Sequence, residues 1–118
     1  MTRRTERISD LLRAELSSLI LREVNDPRVR LASVSQVSVS PDLRHAVVQI
    51  SVLGEKEERN GCIEALNHAH GFIRGRLAKQ LRGLRVVPDL SFELDRGAEH
   101  SQRISDLLEN LHDDKQPS

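Results

Sequence analysis

Residues 66–92 read LNHAHGFIRGRLAKQLRGLRVVPDLSF, and whether this stretch is one helix or two decides the fold. Leu66, Ile73, Leu77 and Leu81 recur at helical spacing. Gly71 and Gly75 interrupt the pattern, each costing about 1 kcal/mol relative to alanine inside a helix. Between Gly71 and Pro88 there are five basic residues and no acidic one. Past Pro88, Leu90, Phe92 and Leu94 alternate as one face of a strand. The pattern predicts a helix, a sharp kink at Ala69-His70-Gly71, a second helix and a strand. Gly71 is expected to leave the helical region, which glycine does at little steric cost. The second helix would then present free N–H groups and the positive end of its dipole. Arg74 and Arg76 lie within two turns of that start, with Lys79, Arg82 and Arg85 beyond. Phosphate oxygens are natural ligands for such an end. In the competing reading Gly71 merely permits close packing and the arginines form a solvated face. The run of five cations without one acid weighs against it.

Working towards the N-terminus, Cys62, Ile63 and Leu66 predict a helix beginning at Cys62, preceded by a polar loop over residues 54–61. Before that, HAVVQISVL (45–53) puts Ala46, Val48, Ile50 and Val52 on one strand face. LASVSQVSVS (31–40) predicts its partner strand, and a change of apolar parity between Val34 and Val37 predicts a bulge. SPDLR (40–44) supplies the turn of a hairpin. Ile8, Leu11, Leu12, Leu16, Leu19, Ile20 and Val24 trace a first helix, with Thr5 as its cap and Asn25-Asp26-Pro27 as its stop. At the other end, Ile104, Leu107, Leu108 and Leu111 mark a short terminal helix before a frayed tail at 113–118. The order is α-β-β-α-kink-α-β plus a short C-terminal helix. RISDLL occurs at 7–12 and again at 103–108, but the identity stops after six residues, too few for a structural repeat.

With 118 residues the chain makes one domain, predicted over 1–112. A net charge of zero conceals strong segregation: residues 1–30 carry +2, 31–70 carry −2, 71–88 carry +5 and 89–118 carry −5. One cysteine, Cys62, rules out an internal disulfide and fits a reducing cytoplasm. The opening MTRRTERISD leads into no apolar segment, so a secretory signal is not expected. No apolar run approaches the roughly 18 residues of a membrane span.

Several stretches resemble the ribosome-binding factor A family: EVNDPRVRL (23–31), VSVSPDLRHAVVQISVL (37–53), ALNHAHGFIRGRLAKQLRGLRVVPDLSFELD (65–95) and EHSQRISDLL (99–108). They cover nearly the whole chain. The resemblance implies an α+β, KH-like fold of the second type, a three-stranded sheet packed against helices. In it the Ala69-His70-Gly71 kink replaces the usual GxxG loop. It further implies a cytoplasmic, monomeric assembly factor without cofactor that binds the free 30S subunit and 16S ribosomal RNA. Its role would be in late processing and maturation of that RNA, needed most in the cold. One departure from the family pattern lies in DRGAEHSQRI (95–104), at Arg96-Gly97 and Ser101.

For RNA contact the expected residues are Ala69, His70, Gly71, Arg74, Arg76, Lys79, Arg82 and Arg85. Arg28 and Arg30 would extend that surface, and Arg3, Arg4 and Arg7 would add a flexible arm. The two phenylalanines, Phe72 and Phe92, are both expected in the core. Recognition would then rest on backbone and shape rather than on stacking. His68 and His70 are two apart and point to different sides of a helix, so no metal site is expected. A small enzyme built on His45, His68 or His100 with Glu64 or Glu99 finds no catalytic constellation in the sequence. A KH-like module acting on another RNA is the alternative function.

Overall fold

The computed structural model describes residues 3–83 and 86–114, with side chains up to residue 110. Arg85 and residues 115–118 of the predicted tail therefore lie outside the described residues. Helix α1 spans Arg3–Glu23. Its inward stripe of Leu12, Leu16, Leu19 and Ile20 is buried, whereas Leu11 lies off the stripe and is exposed. Thr5 is not the cap: the helix starts at Arg3, so Thr5 lies inside its first turns and is buried. After Glu23 the chain enters a 3-10 turn, Pro27–Val29. Asp26 caps it, its Oδ1 accepting the Arg28 N–H at 2.9 Å. Pro27 fits there because the first turn needs no N–H from it.

Strands β1 (Ala32–Val39) and β2 (His45–Val52) pair antiparallel, with the register shifting between Val34 and Gln36. That is the predicted bulge. The extra residue turns Val37 and Val39 back to the face already used by Val34, and all three are buried. In the hairpin turn, Ser40 Oγ donates to Asp42 Oδ1 at 2.6 Å and accepts the His45 N–H at 3.0 Å.

Helix α2 covers Lys56–His68, so it begins six residues before Cys62 and absorbs most of the predicted loop. Physically, the acidic run is a helix start. The Glu58 carboxylate accepts the Glu55 N–H at 3.2 Å, and Glu57 and Glu58 sit where the helix dipole favours negative charge. Gly54 enters this start at φ 133°, a conformation that disfavours side chains. Cys62 is consequently mid-helix and buried, and burial pushes its thiol pKa up.

Helix α3 (His70–Gln80) follows after a single joint residue, Ala69. Strand β3 (Asp89–Leu94) then joins the sheet parallel to β2, giving the order β1-β2-β3. Helices α1, α2 and α3 bury the face bearing Val34, Ala46, Val48, Ile50, Leu90 and Phe92.

The terminal helix α4 is not short: it runs Ala98–Asp114, 17 residues, two of them inside the predicted tail. Gly97 opens it at φ 102°, its N–H donating to Asp95 Oδ1 at 2.9 Å. Gln49 alternates with Val48 and Ile50, so it points away from the main core, where the Gln49 amide donates to Ser101 Oγ at 2.9 Å. Thus Gly97 and Ser101 start and dock α4 on the second sheet face. Ile104 and Leu108 are buried there, and Leu107 is exposed. The whole is α+β, in the KH-like arrangement of the second type.

Candidate nucleic-acid interface

The joint between α2 and α3 is made by Ala69 alone, at φ −92°, ψ 7°. Its N–H reaches the carbonyls of Ala65 and Leu66, both at 3.1 Å, and its own carbonyl accepts the Ile73 N–H at 2.9 Å. Such a backbone is open to any residue, and no glycine is required. Among the described residues positive φ occurs only at Leu43, Gly54 and Gly97. Gly71 therefore does not make the kink. It sits inside α3, and a Cβ built on Gly71 or on Gly75 meets nothing within 4 Å. Both glycines form bare backbone on the solvent side of the helix, opposite buried Ile73 and Leu77. Gly71→Ala and Gly75→Ala should each stabilise the fold by about 1 kcal/mol, raising the melting temperature by about 4 °C. A lowered melting temperature for either would contradict this geometry.

Around the bare backbone, α3 carries two different flanks. On one, Arg74 is clipped to the segment entering β3. Its Nε and Nη2 donate to the Val87 carbonyl at 3.2 and 2.9 Å, and its Nε lies 3.4 Å from the Asp89 carboxylate. Its Nε–H and one Nη2–H are therefore engaged inside the fold, leaving Nη1 for an outside ligand. His70, Gly71, Arg74, Gly75, Ala78, Val86, Val87 and Asp89 line an open cleft of about 440 Å³ on this side. His70 Nδ1 sits 2.7 Å from the Asn67 carbonyl, which fixes Nδ1 as the donor and leaves Nε2 exposed as the free ring atom.

The other flank bears Phe72 and Arg76, with Lys79 one turn further along the same side. Arg76 Nε is 4.0 Å from Glu23 at the end of α1, and its guanidinium carbon lies 5.2 Å from the centre of the Phe72 ring. Phe72 is 47 % exposed, so it is not the core residue expected. The reason is angular: at 100° per residue it stands a quarter-turn off the Ile73–Leu77 stripe. Among the described residues, Lys79 and Arg82 have no ion-pair partner.

The remaining expected cations are not gathered here. Arg3, Arg4 and Arg7 are exposed on the first turns of α1 rather than on a flexible arm. They stand about 24–30 Å along that helix from the Glu23–Arg76 pair. Arg28 binds Asp26 through Nη2 at 2.9 Å, and that hydrogen bonding holds the Asp26 carboxyl below its ordinary range. Arg30 follows it, exposed at the end of the 3-10 turn. Asn67 has a role that sequence spacing does not announce. Its side-chain amide closes on the Phe92 backbone, donating to the carbonyl and accepting the N–H, both at 3.0 Å. This fastens α2 to the edge strand β3.

Known proteins share this sequence and fold. A ribosome-binding factor A of Thermomicrobium roseum is 42 % identical over 113 residues, 96 % of this chain and 87 % of the relative. The crystal structure of ribosome-binding factor A from Thermus thermophilus superposes with a TM-score of 0.69 at 28 % identity, over 79 % of this chain and 98 % of that one. A Thermus thermophilus homology model, fitted into a cryo-EM map of a 30S complex of that factor, matches with a TM-score of 0.62. It is 30 % identical, over 74 % of this chain and 90 % of its own. The family model of ribosome-binding factor A matches residues 4–108, nearly the whole chain: this chain belongs to the ribosome-binding factor A family.

Proposed function

We propose that this protein is a non-catalytic assembly factor that binds the free 30S ribosomal subunit through its 16S RNA and assists late maturation of that RNA. One observation carries the reading: α3 stands out from the joint at Ala69 with an acid-free run of cations on its exposed side. Among the described residues, Lys79 near the end of α3 and Arg82 in the turn beyond it have no ion-pair partner, and Arg76 is only loosely paired. Phosphates are the natural counter-charge for such a surface. The Thermus relative fitted into a map of a 30S complex supports the choice of subunit. His70, Gly71, Arg76, Lys79, Arg82 and Arg85 are the proposed contacts beside Ala69. Arg74 serves chiefly to hold the helix in place. Arg28, Arg30 and the α1 arginines are peripheral. The protein acts as a monomer in the cytoplasm, and the requirement for it is greatest in the cold.

Co-sedimentation with purified 30S, 50S and 70S particles tests the proposal. Binding confined to 30S, with precursor 16S RNA accumulating at low temperature in cells lacking the protein, is the expected result. Equal binding to all three particles, or preference for a different RNA, would replace it with a KH-like module of another target.

A further inference from the structure

Phe72 is the one exposed aromatic ring of a chain that has only two, with no Trp and no Tyr. A single exposed apolar residue is ordinary on a protein surface. This one is distinguished by what surrounds it. The Arg76 guanidinium lies over the ring at 5.2 Å from its centre, and the Glu23 carboxylate stands loosely beside it, 4.0 Å from Arg76 Nε. The ring and the cation thus pack against each other as a cation–π pair. Lys79 stands one turn further along the same side of α3, without an ion-pair partner among the described residues. An aromatic ring, a guanidinium plane and an adjacent ammonium together match the chemistry of a single-stranded nucleotide: a π-face to stack and a phosphate beside it.

We infer that Phe72 and Arg76 form a stacking platform for one unpaired base of the bound RNA, with Lys79 taking the neighbouring phosphate. This rests on the reading that the protein binds ribosomal RNA, and it adds a contact of a different kind. Charge alone would hold any stretch of RNA backbone. A stacking platform selects a splayed-out base, hence a loop, a bulge or an unfinished single strand. It remains tolerant of which base that is, because every base offers a π-face.

The chain's lack of tryptophan makes the test direct. In Phe72→Trp the new indole is the only one in the chain, and its emission, after subtraction of the same subunits mixed with the unaltered protein, reports on that position. Titration of Phe72→Trp with 30S subunits, against 50S subunits at matched absorbance, should quench the emission through base stacking at unchanged or tighter affinity. Phe72→Leu, which keeps an apolar side chain but removes the ring, should weaken 30S binding by about tenfold, and Phe72→Tyr should restore it. Circular dichroism of each variant confirms the fold. Full affinity in Phe72→Leu, or unquenched emission in Phe72→Trp at saturation, overturns the platform while leaving 30S binding intact. Weakened binding in Phe72→Leu together with an unquenched indole also overturns it, and assigns the ring to a protein surface of the subunit. If the unaltered protein fails to bind 30S at all, the reading beneath the platform falls, and the platform with it.

Discussion

Phe92→Ala is expected to destabilise the protein by about 3–5 kcal/mol, the usual cost of emptying a well-packed aromatic site. The ring is 1 % exposed, within the core that β3 shares with β2 and the helices. Its backbone also carries both hydrogen bonds from Asn67, so a cavity at this point loosens the fastening of α2 as well. In a domain stable by roughly 5–15 kcal/mol such a loss is a large part of the total. Urea denaturation measures it: the midpoint should fall sharply while the slope stays the same. A cost below about 1 kcal/mol would mean that Phe92 is not the centre of the core. The other phenylalanine serves as the contrast, because half-exposed Phe72 leaves no comparable cavity.

The second large effect is on binding. Replacing Lys79 and Arg82 together by Gln should weaken 30S binding by about tenfold, since each cation neutralises a phosphate and releases counterion. Stability should stay within about 0.5 kcal/mol of the parent, because neither side chain has an ion-pair partner among the described residues. Arg74 does not belong in such a variant. Its bonds to the Val87 carbonyl make its loss a structural change, and a binding defect would then have two explanations.

The element order and the sheet were legible because apolar spacing carries them. Val34, Val37 and Val39 even betray the bulge, since a shared face across a parity change requires one extra residue. The start of α2 was not legible as apolar pattern, because its first turn is made of Glu55, Glu57 and Glu58. Acidic residues suit a helix N-terminus as well as a loop, and only the Glu58 contact to the Glu55 N–H separates the two. Phe72 shows a different failure. Adjacency to Ile73 in sequence predicts a shared environment, but on a helix neighbours in sequence diverge by 100°. A wheel anchored on Ile73 and Leu77 would have placed the ring outside. The position of the kink follows from Ala69's backbone angles, which no residue type announces. Arg74's engagement depends on a partner thirteen residues away, beyond any local pattern. The basic character of α3 was therefore visible from sequence. Which of its cations are free to act was not.

The central claim is that the free cations on α3 and in the turn beyond it hold the protein on RNA phosphates, and the salt dependence of 30S affinity tests it most directly. With about four phosphate contacts, a plot of log affinity against log salt should fall with a slope near −3. In the Lys79→Gln, Arg82→Gln variant the slope should become shallower by about 1.4, reflecting two lost contacts. An affinity that does not change with salt, or a slope that the double substitution leaves unaltered, would contradict the claim.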